Sequence, residues 1–329
     1  MLDFVNASWQ RASQRSVTAS FVNQCRCCRR MARPNLLLCF DAFGTLFRPK
    51  APVAKQYAEV ARQCGLSGFS DDELQSSLRA AIKEQAKLNP NYGKATGLGA
   101  TKWWINVIHA TMEPFIGNKQ VLPEDLGPRL LHRFASSEGY EADSDLVSIM
   151  RALKQRNGQN RFDKIAIGVI TNTDDRVPSV LTSLGLNVSP ARYGTDLDAG
   201  ASISPDNDID FHCMSYDCGV EKPDKRIFEA AELMLARLLA SQGGKTLDDA
   251  KVDVQAWRKV QVGDDYAKDA VGATNAGWNA VFLDVGGESP ELAKLEDHHS
   301  QTLDELFKDS PIVRVQSLQG LKKWLSGES

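Results

Sequence analysis

The chain has 329 residues, 42% of them apolar and 25% charged, with a formal net charge of −3. No apolar run reaches the roughly 18 residues that span a bilayer, and the balance lacks the basic excess of a general nucleic-acid binder, so neither membrane nor nucleic acid is an expected partner. Seven cysteines, an odd number spread along the chain, do not form a disulfide framework and point to a reducing compartment.

Residues 1–34 read as a separate piece. They hold Arg11, Arg15, Arg26, Arg29, Arg30 and Arg33, no lysine, and Asp3 as the single acid, so the leader carries +5 and the remainder −8. Such a composition matches a mitochondrial presequence. The alternatives are a disordered tail and a native start at Met31. The expected location is therefore cytoplasmic, or mitochondrial if residues 1–34 are a presequence. Cys25, Cys27 and Cys28 cluster there, without a second Cys/His pair at zinc spacing.

Beyond the leader, Asn35–Phe40 is a short continuous apolar run, suited to a strand buried on both faces of a parallel sheet. Helical patterns follow at Val53–Cys64, after Ser70 with Glu73 as a capping box, at Ala100–Met112, at Pro123–Ser136 and at Ser144–Arg156. More than 120 residues without a convincing strand thus separate the first strand from the second, Lys164–Ile170. Further strands are predicted at Ile209–Tyr216, Lys259–Val262, Asn279–Leu283 and Ile312–Val315, with a helix over Arg226–Ala240. Asn187–Asp208 and Gln242–Gln255 read as polar surface excursions. Strands alternating with helices imply an α/β fold, a Rossmann-like parallel sheet with an inserted helical cap. The domains are then a core of 35–50 and 160–329 and a cap of 51–159. An insert directly after the first strand emerges at its carboxyl end, where open α/β sheets bind ligands.

Four short motifs stand in order. Asp41-Ala42-Phe43-Gly44-Thr45 ends the first strand: Asp41 points into the ligand crevice, Gly44 permits a sharp turn and Thr45 can hold the carboxylate. Taken alone, Asp41 could equally be a turn residue. Thr171-Asn172-Thr173-Asp174 ends the second strand with a hydroxyl and an amide able to hold an anion. Lys222 precedes a helix start and can neutralise a phosphate or position the carboxylate. Gly263-Asp264-Asp265, with Asp269, gathers three carboxylates that repel one another unless protonated or bridged by a cation, and oxygen-rich acidic sites favour Mg²⁺.

In these four motifs the chain resembles the haloacid dehalogenase-like hydrolase superfamily. Asn91-Tyr92-Gly93, Gly97-Leu98 and Trp103-Trp104 in the cap stretch make it most similar to the group around haloacid dehalogenase-like hydrolase domain-containing protein 3. The resemblance implies Asp41 as a nucleophile forming an aspartyl intermediate. It implies Thr171 as a hydrogen-bond donor to the transferring group and Lys222 as the offsetting charge. Asp41, Asp264 and the Phe43 carbonyl would bind Mg²⁺, with Asp265 and Asp269 in or beside the ligand set. Thr45 and Asn172 complete the expected substrate site.

One position departs from the pattern. Phosphatases of the superfamily carry an acid/base aspartate two residues after the nucleophile, where this chain has Phe43. General acid–base help is worth about 10²–10⁴ in rate. Dehalogenases of the superfamily have an aromatic there, but lack the Gly-Asp-Asp motif and need no metal. The expected function is therefore Mg²⁺-dependent hydrolysis of a small phosphorylated substrate with a good leaving group. Two alternatives remain: a weakly active or inactive protein that binds Mg²⁺ and a phosphorylated ligand, and a carbon–halogen or carbon–phosphorus hydrolase. Arg79 is a candidate cap arginine by position. Trp103, Trp104 and Tyr92 are candidates for either cap core or pocket, His298 and His299 read as solvated, and Cys39 as a core residue.

Overall fold

Leu36–Phe40 (β1) is buried at all five positions, and its side chains divide between two cores. Leu36, Leu38 and Phe40 join one apolar cluster and Leu37 and Cys39 the other, the two-residue alternation of a strand with a layer on each face. The computed structural model describes residues 33–116, 121–154, 161–197, 201–298 and 300–326. Nearly all of the predicted leader, Met31 and its three cysteines, and also His299, lie outside the described residues.

The strands in chain order are β1, β2 (Arg48–Pro49), β3 (Tyr140–Glu141), β4 (Ile165–Thr171), β5 (Phe211–Met214), β6 (Arg258–Gly263), β7 (Asn279–Leu283) and β8 (Ile312–Val315). Six form one parallel sheet in the order β5-β4-β1-β6-β7-β8. The fold is thus α/β with a Rossmann-like parallel sheet. Phe40 at the end of β1 lies beside Val169 of β4 and Val262 of β6. The chain leaves β1 for β4 on one side and later reaches β6 on the other. That reversal opens a crevice beyond the carboxyl ends of the central strands.

The helices are α1 (Val53–Gln63), α2 (Asp71–Leu88), α3 (Ala100–Met112), α4 (Leu126–Arg133), α5 (Leu146–Lys154), α6 (Val177–Ser183), α7 (Ser215–Cys218), α8 (Lys225–Gly243), α9 (Leu247–Gln255), α10 (Gly272–Asn275), α11 (Leu303–Leu306) and α12 (Leu318–Ser326). α1 to α4 pack on one another between β1 and β4. The capping box of α2 forms as predicted: Ser70 Oγ accepts from the Glu73 N–H at 3.2 Å, and Glu73 Oε2 accepts from the Ser70 N–H at 2.8 Å. α5, within the stretch 51–159, packs against α12 and β4. β2 and β3 pair antiparallel where the insert leaves and rejoins the core, with Pro49 opposite Tyr140. Two residues are too few for an alternating pattern, so this ribbon leaves no sequence signal.

Gln242–Gln255 corrects an expectation. It is not an excursion but the end of α8 and the whole of α9, whose N-cap Thr246 accepts from the Asp249 N–H at 3.2 Å. Ala250 and Val254 are its buried positions. Two small apolar residues four apart are enough to seat a short helix on α8, yet too weak a signal in a polar stretch.

Beneath β5, Lys154 Nζ reaches both Asp210 oxygens at 2.8 and 2.6 Å, fully enclosed. Beside it His212 is buried, with Nδ1 3.4 Å from the Ala191 carbonyl and no hydrogen bond at Nε2. Burial pushes the His212 ring down to about 4 from an ordinary 6.5. The folded chain therefore refuses a proton that the unfolded chain takes up, and stability falls as pH drops from about 6.5 toward 4. A depression of this size corresponds to about 3 kcal/mol. His212→Leu should remove that share of the pH slope. Urea titrations of both chains between about pH 7 and pH 4.5 check it, and parallel slopes would refute the assignment.

Candidate active site

The four motif-bearing segments open into a single cleft of about 810 Å³ between the carboxyl end of the sheet and helices of the insert, a volume typical of small-molecule sites. The first wall is the turn after β1. The Asp41 N–H donates to the Val262 carbonyl at 2.8 Å, so the residue just past the strand keeps sheet register. The Ala42 carbonyl accepts from the N–H groups of Leu46 and Phe47 at 2.8 and 3.1 Å, which curls the chain back. Gly44 takes φ +96°, and a Cβ there would meet the Asp264 carboxylate at 2.2 Å. Both the turn and the close approach require glycine.

Lys222 enters from the loop before α8. Asn172 fixes that loop by accepting from the Lys222 N–H at 2.7 Å and donating to the Lys222 carbonyl at 2.9 Å. The ammonium donates to Asp41 Oδ1 at 2.6 Å, Asp269 Oδ1 at 2.6 Å and the Ile170 carbonyl at 2.9 Å, using all three of its protons. Burial opposes its charge, but Asp41 and Asp269 outweigh that and hold Lys222 above the usual lysine value.

Asp269 is packed so tightly against Gly263 that a Cβ there would stand 2.1 Å from its Cγ. Its Oδ1 also accepts from Gln261 Nε2 at 3.0 Å and its Oδ2 from the Asp265 N–H at 3.2 Å. Burial pushes Asp269 up to about 6, against the pull of Lys222. Asp264 is exposed and accepts from Thr45 Oγ1 at 3.0 Å. Carboxylate oxygens of Asp41, Asp264 and Asp269 lie within 4.8 Å of one another.

The structure therefore gathers Asp41, Lys222, Asp264 and Asp269, with buried Thr171 on the cleft wall. Three predicted residues turn elsewhere. Thr45 bonds Asp264 rather than Asp41, Asn172 is occupied by the backbone of Lys222, and the Asp265 carboxylate is held by Lys268 at 2.5 Å, outside the three-acid group. The Phe43 ring is 45% exposed and lies edge-on to Phe47 and Tyr140, each with centroids 6.2 Å away. Arg79 reaches the cleft wall. Of the tryptophan pair, Trp103 is insert core, donating to the Asn89 carbonyl at 3.0 Å, while Trp104 lines the cleft.

Sequence reasoning missed the link between α3 and the end of β4. Asp174, nearly fully buried, accepts from Trp104 Nε1 at 2.7 Å and from Arg176 Nε and a terminal guanidinium N–H at 2.8 and 2.7 Å. Burial alone would raise Asp174, yet the Arg176 charge holds it below the usual carboxylate range. The guanidinium lies 4.4 Å over the Trp104 ring. Asp174 closes the Thr171-Asn172-Thr173-Asp174 motif and Arg176 follows two residues later, but Trp104 is 70 residues away and no local pattern joins them.

Lys222→Met would leave Asp41 and Asp269 facing each other without their shared cation. The expected loss is about 3–5 kcal/mol of stability, and adding Asp269→Asn should recover part of it. Urea unfolding of the three chains measures this; an unchanged midpoint for the single variant would show that the ammonium does not hold the carboxylates together.

The haloacid dehalogenase-like hydrolase family model matches residues 36–277. An uncharacterized hydrolase of Schizosaccharomyces pombe is 31% identical over 250 residues, covering 76% of this chain and 90% of that protein. Haloacid dehalogenase-like hydrolase domain-containing protein 3 of Danio rerio is 27% identical over 273 residues, covering 81% and 93%. Among solved structures, a 2-haloacid dehalogenase from Pseudomonas syringae aligns at TM-score 0.49 and 18% identity over 89% of this chain and 99% of that one. The family match runs from β1 to the turn before β7 and takes in every strand end that builds the cleft: the chain belongs to the haloacid dehalogenase-like hydrolases.

Proposed function

We propose that the protein is a Mg²⁺-dependent hydrolase of small phosphorylated substrates, acting through an aspartyl-phosphate on Asp41 and restricted to leaving groups that need no proton. The observation that carries this reading is the pairing of a three-carboxylate group around Lys222 with Phe43 at the acid position. Carboxylate oxygens of Asp41, Asp264 and Asp269 within 4.8 Å of one another form a hard, all-oxygen set that suits Mg²⁺. Asp41, Asp264 and Asp269 would hold the ion, with the Phe43 carbonyl as a further donor. When bound, it would draw off phosphoryl charge so that an anionic carboxylate can approach an anionic phosphate.

The chain's own groups do the rest. Asp41 Oδ1 is fixed by Lys222, so a carboxylate oxygen is held in one orientation at the mouth of the sheet. Asp41 attacks phosphorus, the bond to the leaving oxygen breaks, and that oxygen departs with the electron pair. Lys222 offsets the negative charge that accumulates, and the Thr171 hydroxyl donates to the transferring group. Water then attacks the aspartyl-phosphate, releasing inorganic phosphate and restoring Asp41. Phe43 carries no proton, so the first step depends on the acidity of the leaving group. Helices α1 to α4 form the lid over the cleft in this reading, and the core takes in α5. Asn172 and Thr45 act indirectly, through Lys222 and Asp264.

The test is phosphate release from acyl, aryl and alkyl phosphates, with Mg²⁺ and with chelator. Release should require both Mg²⁺ and Asp41, vanish in Asp41→Asn, and fall steeply as the leaving group becomes less acidic. Phe43→Asp should raise alkyl phosphate turnover by about 10²–10⁴ and flatten that dependence. Metal-independent halide release from 2-haloacids, or silence across the panel with Mg²⁺ bound, would overturn the reading in favour of a dehalogenase or a ligand-binding protein respectively.

A further inference from the structure

The turn after β1 and the insert together give the cleft an aromatic wall whose rings phosphoryl transfer itself does not use. Phe43, Phe47, Tyr57, Tyr92, Trp104 and Tyr140 all line it. Phe47 and Tyr140 pack with centroids 5.0 Å apart, and Tyr92 stands 6.2 Å from Trp104 at 31°. Of the two arginines that line the cleft, Arg176 is held bidentate by Asp174 and stacked on Trp104, while Arg79 stands on the wall without an ion pair among the described residues. The hydroxyls of Tyr57, Tyr92 and Tyr140 have no hydrogen-bond partner among the described residues. A cavity of about 810 Å³ is far larger than a phosphate needs, and these rings, with aliphatic side chains such as Leu78, Ile82 and Val180, bound much of its remaining space.

Resting on the hydrolase reading above, we propose that the cleft selects aryl phosphates, phosphomonoesters whose leaving group is a phenol-like ring seated against this aromatic wall. Two independent features favour the same ligand. Ring-on-ring packing rewards a planar aromatic group beyond its buried area, by about 0.5–1.5 kcal/mol per pair. A phenol has the acidity of a tyrosine side chain, about 10, so a phenolate departs without the acid that Phe43 lacks. Asp41 bonds to phosphorus, the bond from phosphorus to the aryl oxygen breaks, and the phenolate leaves with the electron pair and takes its proton from solvent. Water hydrolyses the acyl phosphate, returning inorganic phosphate and the Asp41 carboxylate.

The experiment separates ring recognition from leaving-group acidity. Turnover of naphthyl phosphate is compared with that of a fluorinated alkyl phosphate whose alcohol is equally acidic, with acetyl phosphate as a ring-free control. In parallel, calorimetry on the full chain with Mg²⁺ measures binding of naphthylphosphonate and methylphosphonate. The expected result is a preference of about tenfold or more for the aryl member of each pair. Trp104→Leu should erase that preference while methylphosphonate binds as before, and Tyr140→Leu repeats the test from the other side of the wall. A phosphotyrosine peptide is the last arm: turnover matching naphthyl phosphate identifies a peptide ring as the source, and refusal a free phenol. Equal turnover of the matched pair with equal phosphonate binding, while acetyl phosphate is cleaved, overturns aryl selection and leaves the hydrolase standing. Tight naphthylphosphonate binding without phosphate release from any substrate overturns both.

Discussion

The centre of this molecule is one ammonium group shared by two buried carboxylates. Lys222 holds Asp41 and Asp269 at 2.6 Å each and finishes its coordination on a strand carbonyl. Without it, Asp41 just past β1 and Asp269 in the helical turn after β6 would stand together with little access to solvent, and one would take up a proton. Much of the surrounding sequence serves that contact. Asn172 holds the backbone of Lys222, Gly263 lets Asp269 close on the sheet, and Gln261 gives Asp269 a second donor from below. Gln261 is fully buried and leaves its own Oε1 without a hydrogen bond. A buried unsatisfied oxygen costs about 1–3 kcal/mol, and here it accompanies the orientation of a carboxylate in the site.

β1 and β4 were legible because each is a continuous apolar run closed by a polar residue, whereas β6 carries Lys259 and the buried Gln261 within it and shows the pattern only weakly. β7 and β8 have the predicted limits, and β1, β4 and β6 differ by one residue at an end or two. Local rules sufficed there: burial on both faces removes the alternation, and the first polar residue marks the exit into the crevice. The capping box of α2 was readable for the same reason, since its partners are three residues apart. Asp41, Lys222, Asp264 and Asp269 were legible as an ordered set of motifs, although no one of them was decisive.

What stayed hidden depends on distance along the chain. Tyr140 reaches the cleft through a two-residue ribbon, and Trp104 meets Asp174 across 70 positions. No periodicity encodes such pairings. The partners of Thr45 and Asn172 show the same limit. Residue type said that each would hold a polar group near Asp41, but not which one. The Thr45 hydroxyl, four residues beyond Asp41, instead faces Asp264, because the Gly44 turn carries the chain under that carboxylate.

The acidic centre and the aromatic wall set opposite demands on water. Asp41, Asp264 and Asp269 need a cation or solvent to bear their proximity, whereas the rings of Phe43, Phe47 and Tyr140 favour a dry neighbour. Phe43 stands at the border, two residues from Asp41 and packed edge-on against Phe47 and Tyr140. An acid in its place would need solvation or a partner and would break that edge-to-face packing. A phenylalanine extends the apolar wall up to Asp41, so the space on that side is bounded by a ring rather than by a group that can carry a proton. On the proposed hydrolase reading, the residue that offers no proton also enlarges the surface able to recognise what departs. On that reading, catalytic power toward reluctant leaving groups is exchanged for selectivity among willing ones, and the residue that makes the exchange packs edge-on against the rings of Phe47 and Tyr140.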